Sequence, residues 1–161
     1  MRDRRAPAIA GALLLVALLT ALVAPEPRLA LVDDRGDRHL TAEALTLRYR
    51  HSVERTIVEE DLAPDAVGVR VVETRFSSFG AGLPSQPEWG GIFDADAAGR
   101  LAVRGMTVVL PEVRVRVGHV SEQAAIVGGG VVVPLDSLVA PGQALTVQVV
   151  TRPRALWWLT R

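Results

Sequence analysis

Cysteine is absent from all 161 residues. That excludes disulfides, thiolate metal sites and cysteine nucleophiles. Lysine is absent too. The 18 basic residues are all arginine, a bias read as genome composition before function. Aromatic residues make up 4% of the chain, against 49% hydrophobic residues. The core must therefore come mainly from Val, Leu, Ile and Ala. No charge sign prevails, since the formal net charge is zero. No basic field for nucleic acid follows, and nucleic acid is not an expected partner. Repeats and low-complexity tracts are missing as well. The length suits one domain beyond any targeting segment.

What is present begins at the N-terminus. Three arginines in MRDRR precede a run of 19 uncharged residues, Ala6 to Ala24. As a helix it would reach roughly 28 Å at about 1.5 Å per residue, near the ~30 Å of a bilayer core. Arginines on that side predict a cytoplasmic N-terminus and an extracytoplasmic remainder, with the membrane as a partner through this helix. A cleavage site after Ala24 would place Leu22 at the −3 position and Pro25 just beyond, both poor for processing. The reading is a single-pass anchor in the cell membrane. The alternative is a cleaved signal and a secreted or periplasmic domain. The segments are 1–24 for the anchor or signal, 25–151 for the exported domain and 152–161 for the tail.

The exported part alternates with period two. Strands are expected at Arg28–Val32, His39–Thr41, Leu45–Glu54, Val67–Phe76, Arg100–Val103, Thr107–Leu110, Glu112–Gly118, Ala124–Val127, Val131–Leu135 and Leu145–Thr151. DDRGD, GAGLP, EWGG, DADAAG, GGG and APGQ supply the turns. A short helix is expected around Asp136 to Val139. The fold class is all-β, an antiparallel sandwich or small barrel. The tail RALWWLTR pairs two Trp with flanking Arg. It reads as a membrane-interface or partner segment, or as a final packing strand.

The densest polar stretch is RYRHSVERTIVEED, Arg48 to Asp61. Parity places Leu47, Tyr49, His51 and Val53 inward, and Arg50, Ser52 and Glu54 outward. His119 continues the parity of Val113, Val115 and Val117, so it too is expected inward. The two histidines, with Glu54, Glu59, Glu60 or Glu122, offer metal-ligand types. Neither HxH nor HExxH spacing is present, so no metal or other cofactor is assigned. Glu59-Glu60-Asp61 reads as a solvated turn. No sugar-stacking platform accompanies these carboxylates. A second stretch, ETRFSSFGAGLPSQP, follows from Glu73 to Pro87. Its glycines permit close backbone approach, and its amides suit an anion. It lacks the GK[ST] of a phosphate-binding loop and the GxSxG of a nucleophile elbow. Candidate binding residues are His51, Ser52, Glu54, Glu60, Arg75, Ser78, Gly80 and Gly82. No catalytic residue is assigned.

Together the two stretches resemble the family known as domain of unknown function 1850. The carriers are Tyr49, His51, Ser52, Val53, Glu54, Thr56 and Glu60, then Arg75, Phe76, Gly80, Ala81, Gly82, Leu83 and Pro84. Ile57 departs from the pattern, which has Pro there. The resemblance implies a small exported or anchored protein encoded beside TAXI-type tripartite ATP-independent periplasmic transporters. It implies no catalytic residues. The expected function is a non-catalytic accessory protein whose partner is a transporter membrane or solute-binding subunit. The alternatives are a stand-alone module holding a carboxylate through Arg75 and the Gly80–Gly82 amides, and a hydrolase using His51 with Glu54 or Glu60.

Overall fold

The computed structural model describes residues 5–79, 83, 90–95, 97–119 and 122–158; side chains of 5–10, 12 and 158 are outside that set. The chain divides into two units, residues 28–150 and residues 1–27 with 151–161.

In the smaller unit, helix α1 covers Arg5–Val23. Its apolar side chains point all round. Leu13, Leu14, Leu15 and Val16, successive positions about 100° apart on a helix, are each more than half exposed. Among the described residues no helix is long and apolar enough to cross a membrane. The described apolar side chains of α1 run only from Leu13 to Val23. In the tail, Arg154–Trp158 forms a short helix, α2. It is fastened to the foot of α1. The Arg154 amide donates to the Ala24 carbonyl at 3.0 Å, and Trp157 Nε1 donates to the Glu26 carbonyl at 3.0 Å. Arg154 also pairs with Glu26 at 2.9 Å, and the Arg152 guanidinium lies 5.4 Å from the Trp157 ring centre. Trp157 is buried as a result.

The larger unit is built from antiparallel strands, as the alternation predicts. They are β1 (Pro25–Asp33), β2 (Arg38–Ala42), β3 (Leu45–Arg50), β4 (Ile57–Pro64), β5 (Val69–Phe76), β6 (Ile92–Ala95), β7 (Leu101–Arg104), β8 (Val109–Leu110), β9 (Val113–Arg116), β10 (Ala124–Val127), β11 (Val131–Pro134) and β12 (Ala144–Pro153). One sheet has the order β2-β1-β12-β9. The other runs β11-β10-β3-β4-β5-β7-β6, with β8 beside β5. Neither closes on itself, so the barrel alternative is set aside.

The two sheets share a core. Leu29 and Leu31 of β1 and Leu145 and Val147 of β12 meet Leu45, Leu47, Leu62 and Val69 of the larger sheet. A second cluster, Val58, Phe76, Leu83, Val103 and Met106, continues along the larger sheet. Burying each such aliphatic side chain contributes roughly 1.5–3 kcal/mol, which compensates for the scarcity of aromatics. GGG makes the β10–β11 hairpin as expected, with Gly129 and Gly130 at positive φ.

Four local expectations are corrected. Glu59-Glu60-Asp61 is the middle of β4 and is paired on both sides, to β3 and β5. The strand through HSVE ends at Arg50, and residues 52–54 turn. Ile92–Ala95 forms a strand, and its last two residues, Asp94 and Ala95, belong to the DADAAG expected to turn. The helix expected at Asp136 to Val139 is a single 3-10 turn, Leu135–Ser137.

Candidate functional site

The first motif folds as the β3–β4 hairpin. The His51 amide donates to the Thr56 carbonyl at 2.8 Å, and the Arg55 amide donates to the His51 carbonyl at 2.9 Å. Arg55 takes a positive φ of 56° to make this turn. The His51 ring braces it from within, because Nδ1 accepts the amides of Val53 at 3.3 Å and Glu54 at 3.2 Å. Nδ1 therefore carries no proton, and the neutral ring is the Nε2–H tautomer. His51 is thus a half-buried turn brace and not an inward core residue, and Val53 is 67% exposed. Ser52 is exposed at the tip. His119 is also exposed, against its expected inward parity, because β9 ends three residues earlier at Arg116.

An Asn side chain can accept the same two amides through Oδ1. His51→Asn is therefore expected to keep the stability of the larger unit within about 0.5 kcal/mol, while His51→Ala loses about 1 kcal/mol. Urea denaturation of the two variants checks this. Equal losses would show that the ring does something other than accept these amides.

The second motif meets the first. Ser78, just past β5, lies with Oγ 3.4 Å from Glu54 Oε2. Phe79 follows, 51% exposed, with its ring edge-on to Phe76 at 5.7 Å and to Phe93 at 5.9 Å. Gly80 and Gly82 lie outside the described residues. On the opposite side of the tip, Arg50 donates to both carboxylate oxygens of Glu122 at 2.8 and 2.9 Å, and to the Arg55 carbonyl at 2.7 Å.

Arg75 belongs to a different feature. It sits on the outward face of β5, where its guanidinium holds Asp61 bidentately at 2.6 and 2.9 Å. The same group reaches Glu59 and Glu73, each at 3.2 Å. Arg100 joins Glu59 at 3.1 Å, and Arg104 joins Glu73 and Asp94. Thr46 donates to Asp61 at 2.7 Å. Burial alone would raise the Asp61 carboxyl. The hydrogen bonds from Arg75 and then Thr46 outweigh it, and Asp61 is held below the usual carboxylate range. The hydrogen bond to Asp61 leads the causes that push Arg75 further up. A guanidinium engaged by three carboxylates has little left for a ligand anion.

Glu60 faces the other way. It pairs in register with Leu47 and shares the inward parity of Val58 and Leu62. Tyr49 Oη donates to Glu60 Oε1 at 3.1 Å. Burial pushes the Glu60 carboxyl up, and the Tyr49 hydrogen bond recovers only part of that. Burial first, and Glu60 second, push the Tyr49 phenol above its ordinary range. A cleft of about 260 Å³ lies against this pair, between β3–β4 and β9. Sequence parity already gave Tyr49 this direction. The alternation Val58–Glu60–Leu62 carries the same signal for its partner.

The eight sequence candidates therefore do not form one constellation. His51, Ser52, Glu54 and Ser78 share one end of the larger sheet. Glu60 and Arg75 lie on opposite faces of it. Among the described residues no group of three or more His, Asp or Glu is placed to hold a metal ion.

No curated protein and no solved structure matches the chain significantly. The family described as "Domain of unknown function (DUF1850)" matches residues 45–135, from the first residue of β3 to the 3-10 turn after β11. That is more than half the chain and contains the hairpin, the Arg75 network and the Tyr49–Glu60 pair, so the chain belongs to the DUF1850 family.

Proposed function

We propose that this protein is a membrane-anchored, extracytoplasmic and non-catalytic accessory subunit that binds a component of a tripartite transporter. The observation that carries the reading is the meeting of the two motif segments at one end of the larger sheet. There the Glu54–Ser78 contact joins them, and Val53 and Phe79 beside it are 67% and 51% exposed. Polar motif residues are used to shape the turn, and apolar neighbours are left outward. That division suits a protein contact better than a reaction centre. The resemblance described above supplies the class of partner.

The anchor rests on α1. A helix apolar on every side is stable only when surrounded by protein or lipid, and the arginines before it favour a cytoplasmic N-terminus. The fastening of α2 favours an uncleaved helix over a secreted form. Cleavage after Ala24 would cut the chain at the carbonyl that the Arg154 amide holds.

The test is co-purification of the full-length tagged chain in mild detergent with the co-expressed membrane and solute-binding subunits of a TAXI-type transporter from the same genome. The wild type is expected to retain one of them. Val53→Asp with Phe79→Asp is expected to lower recovery at least tenfold with an unchanged thermal melt. Retention of neither subunit by the wild type, or equal recovery by the double variant, would overturn the reading.

A further inference from the structure

The cleft beside Tyr49 and Glu60 is separate from the hairpin tip. It opens along β9, the edge strand of the smaller sheet. Its interior is apolar, with Leu47, Val113, Val115 and Leu135 among its lining residues. Polar capacity inside it is almost fully used. Gln123 Oε1 accepts the Gly118 amide at 2.8 Å, and its nitrogen donates to the Arg116 carbonyl at 3.0 Å. Glu60 Oε1 accepts from Tyr49. What is left is one N–H of Gln123 and Glu60 Oε2, and the latter has no partner among the described residues. It is also not sealed from solvent, since Thr56 Oγ1 alone is both buried and unpartnered among the described side chains.

Charge narrows the occupant. An anion in the cleft would face the Glu60 carboxylate. A cation would leave water for an apolar lining with one carboxylate to meet it, and the desolvation of the two charges offsets their attraction. Arg48, Arg114 and Arg116 also border the cleft, but their side chains are held by other groups: Arg48 by Glu59 at 4.0 Å, Arg114 by Asp34 at 2.8 Å and Arg116 by the Gly142 carbonyl at 3.2 Å. They are not released to bind an anion there. A neutral guest avoids both penalties. It must fill an apolar space and offer one donor to one acceptor.

We propose that this cleft is a binding site for a small, neutral, largely apolar molecule carrying one hydroxyl group, which donates to Glu60 Oε2. Tyr49 acts as a positioning residue, because its hydroxyl fixes the rotamer of the carboxyl group and turns Oε2 toward the guest. The upward shift of the Glu60 carboxyl agrees with an acid that sits in apolar surroundings without a cation beside it.

The test uses the full chain in nanodiscs, with empty nanodiscs as the partition control, and four probes of one size: benzyl alcohol, toluene, benzylamine and benzoate. Saturation-transfer NMR titrations read the affinities. Benzyl alcohol is expected to bind saturably and at least fivefold tighter than each of the other three. Val115→Phe, which fills the cleft, is expected to abolish that binding. Tyr49→Phe with Glu60→Leu is expected to reduce benzyl alcohol to the level of toluene. That pair exchanges both hydrogen-bonding partners for apolar groups of similar size, so folding is kept. A thermal melt verifies each variant, and if Val115→Phe unfolds, the Tyr49 and Glu60 pair decides alone. No saturable binding of benzyl alcohol, benzoate or benzylamine binding as tightly, or unchanged affinity in the double variant would each overturn the proposal.

Discussion

Arg75→Met is expected to destabilise the larger unit by about 2–4 kcal/mol at pH 7. The side chain is 17% exposed and sits between Glu59, Asp61 and Glu73. Removing it leaves three carboxylates on adjacent strands with their central cation gone. Methionine keeps the aliphatic volume, so the loss reports charge and hydrogen bonding and not a cavity. Breaking a well-buried ion pair costs about 3–5 kcal/mol. The lower range applies here because Asp61 is 32% exposed and water screens part of the repulsion. Arg100 and Arg104 still reach Glu59 and Glu73, but Asp61 depends on Arg75 and Thr46.

The pH dependence has a definite sign. The folded-state pKa of Asp61 lies below its ordinary, unfolded value. Its contribution is therefore complete above the unfolded value and is lost as pH falls through the folded one. The gap between wild type and Arg75→Met should narrow when urea denaturation is repeated near pH 3. Adding Glu59→Gln, Asp61→Asn and Glu73→Gln to the variant should recover most of the loss. A loss below 1 kcal/mol at pH 7, or the same loss at both pH values, would mean that the network is not what holds this face together.

That network also explains where sequence reading succeeded and where it failed. Alternation located most strands, because one face of each must be apolar to reach the core. It failed at Glu59-Glu60-Asp61, where three charges in a row resemble a solvated turn. In the fold their two directions have different partners. Glu59 and Asp61 meet Arg75 across the β4–β5 ladder, and Glu60 meets Tyr49 across the β3–β4 ladder. The partners stand 11 to 16 positions apart on different strands, beyond what alternation within one strand reports, although acids at positions i and i+2 facing Glu73 and Arg75 at the same spacing were a usable sign. Alternation was carried too far at His51. The side chain that looked like the next inward residue accepts two amides and ends the strand. In the tail, two adjacent tryptophans suggested a membrane interface or a strand. Trp157 is buried, as the packing alternative has it, but from a one-turn helix and not a strand, held by the Glu26 carbonyl 131 positions earlier in the chain. For the candidate site, parity gave the direction of Tyr49 but not the cleft beside it. The cleft depends on how β9 lies against β3, and strand order is not written in local periodicity.

Gly68→Ala should be nearly as damaging as Arg75→Met, for a purely steric reason. A Cβ at Gly68 would stand 2.2 Å from the Leu110 carbonyl oxygen and 2.9 Å from its carbon. Both atoms are backbone, so no side-chain rotamer relieves the contact. One strand must move away from the other by about 1 Å, and the neighbouring pairing resists. Val69 is paired with Leu110, Arg70 with Val109, and the Val71 amide donates to the Val108 carbonyl at 3.1 Å. Just below lies Val69, fully buried in the shared core. Overpacking against a fixed neighbour costs typically 1–3 kcal/mol, and a backbone clash belongs at the upper end. Alanine also narrows the unfolded ensemble, which returns about 0.4–1 kcal/mol. The net expectation is a loss of about 2 kcal/mol. Amide exchange should localise it. Protection at Val71 should fall first as β8 lifts from β5, while protection in β3 follows only the global loss. A variant within 0.5 kcal/mol of wild type, or one whose exchange rises equally in β3 and β5, would show that β8 is not pressed against Gly68 as closely as these distances require.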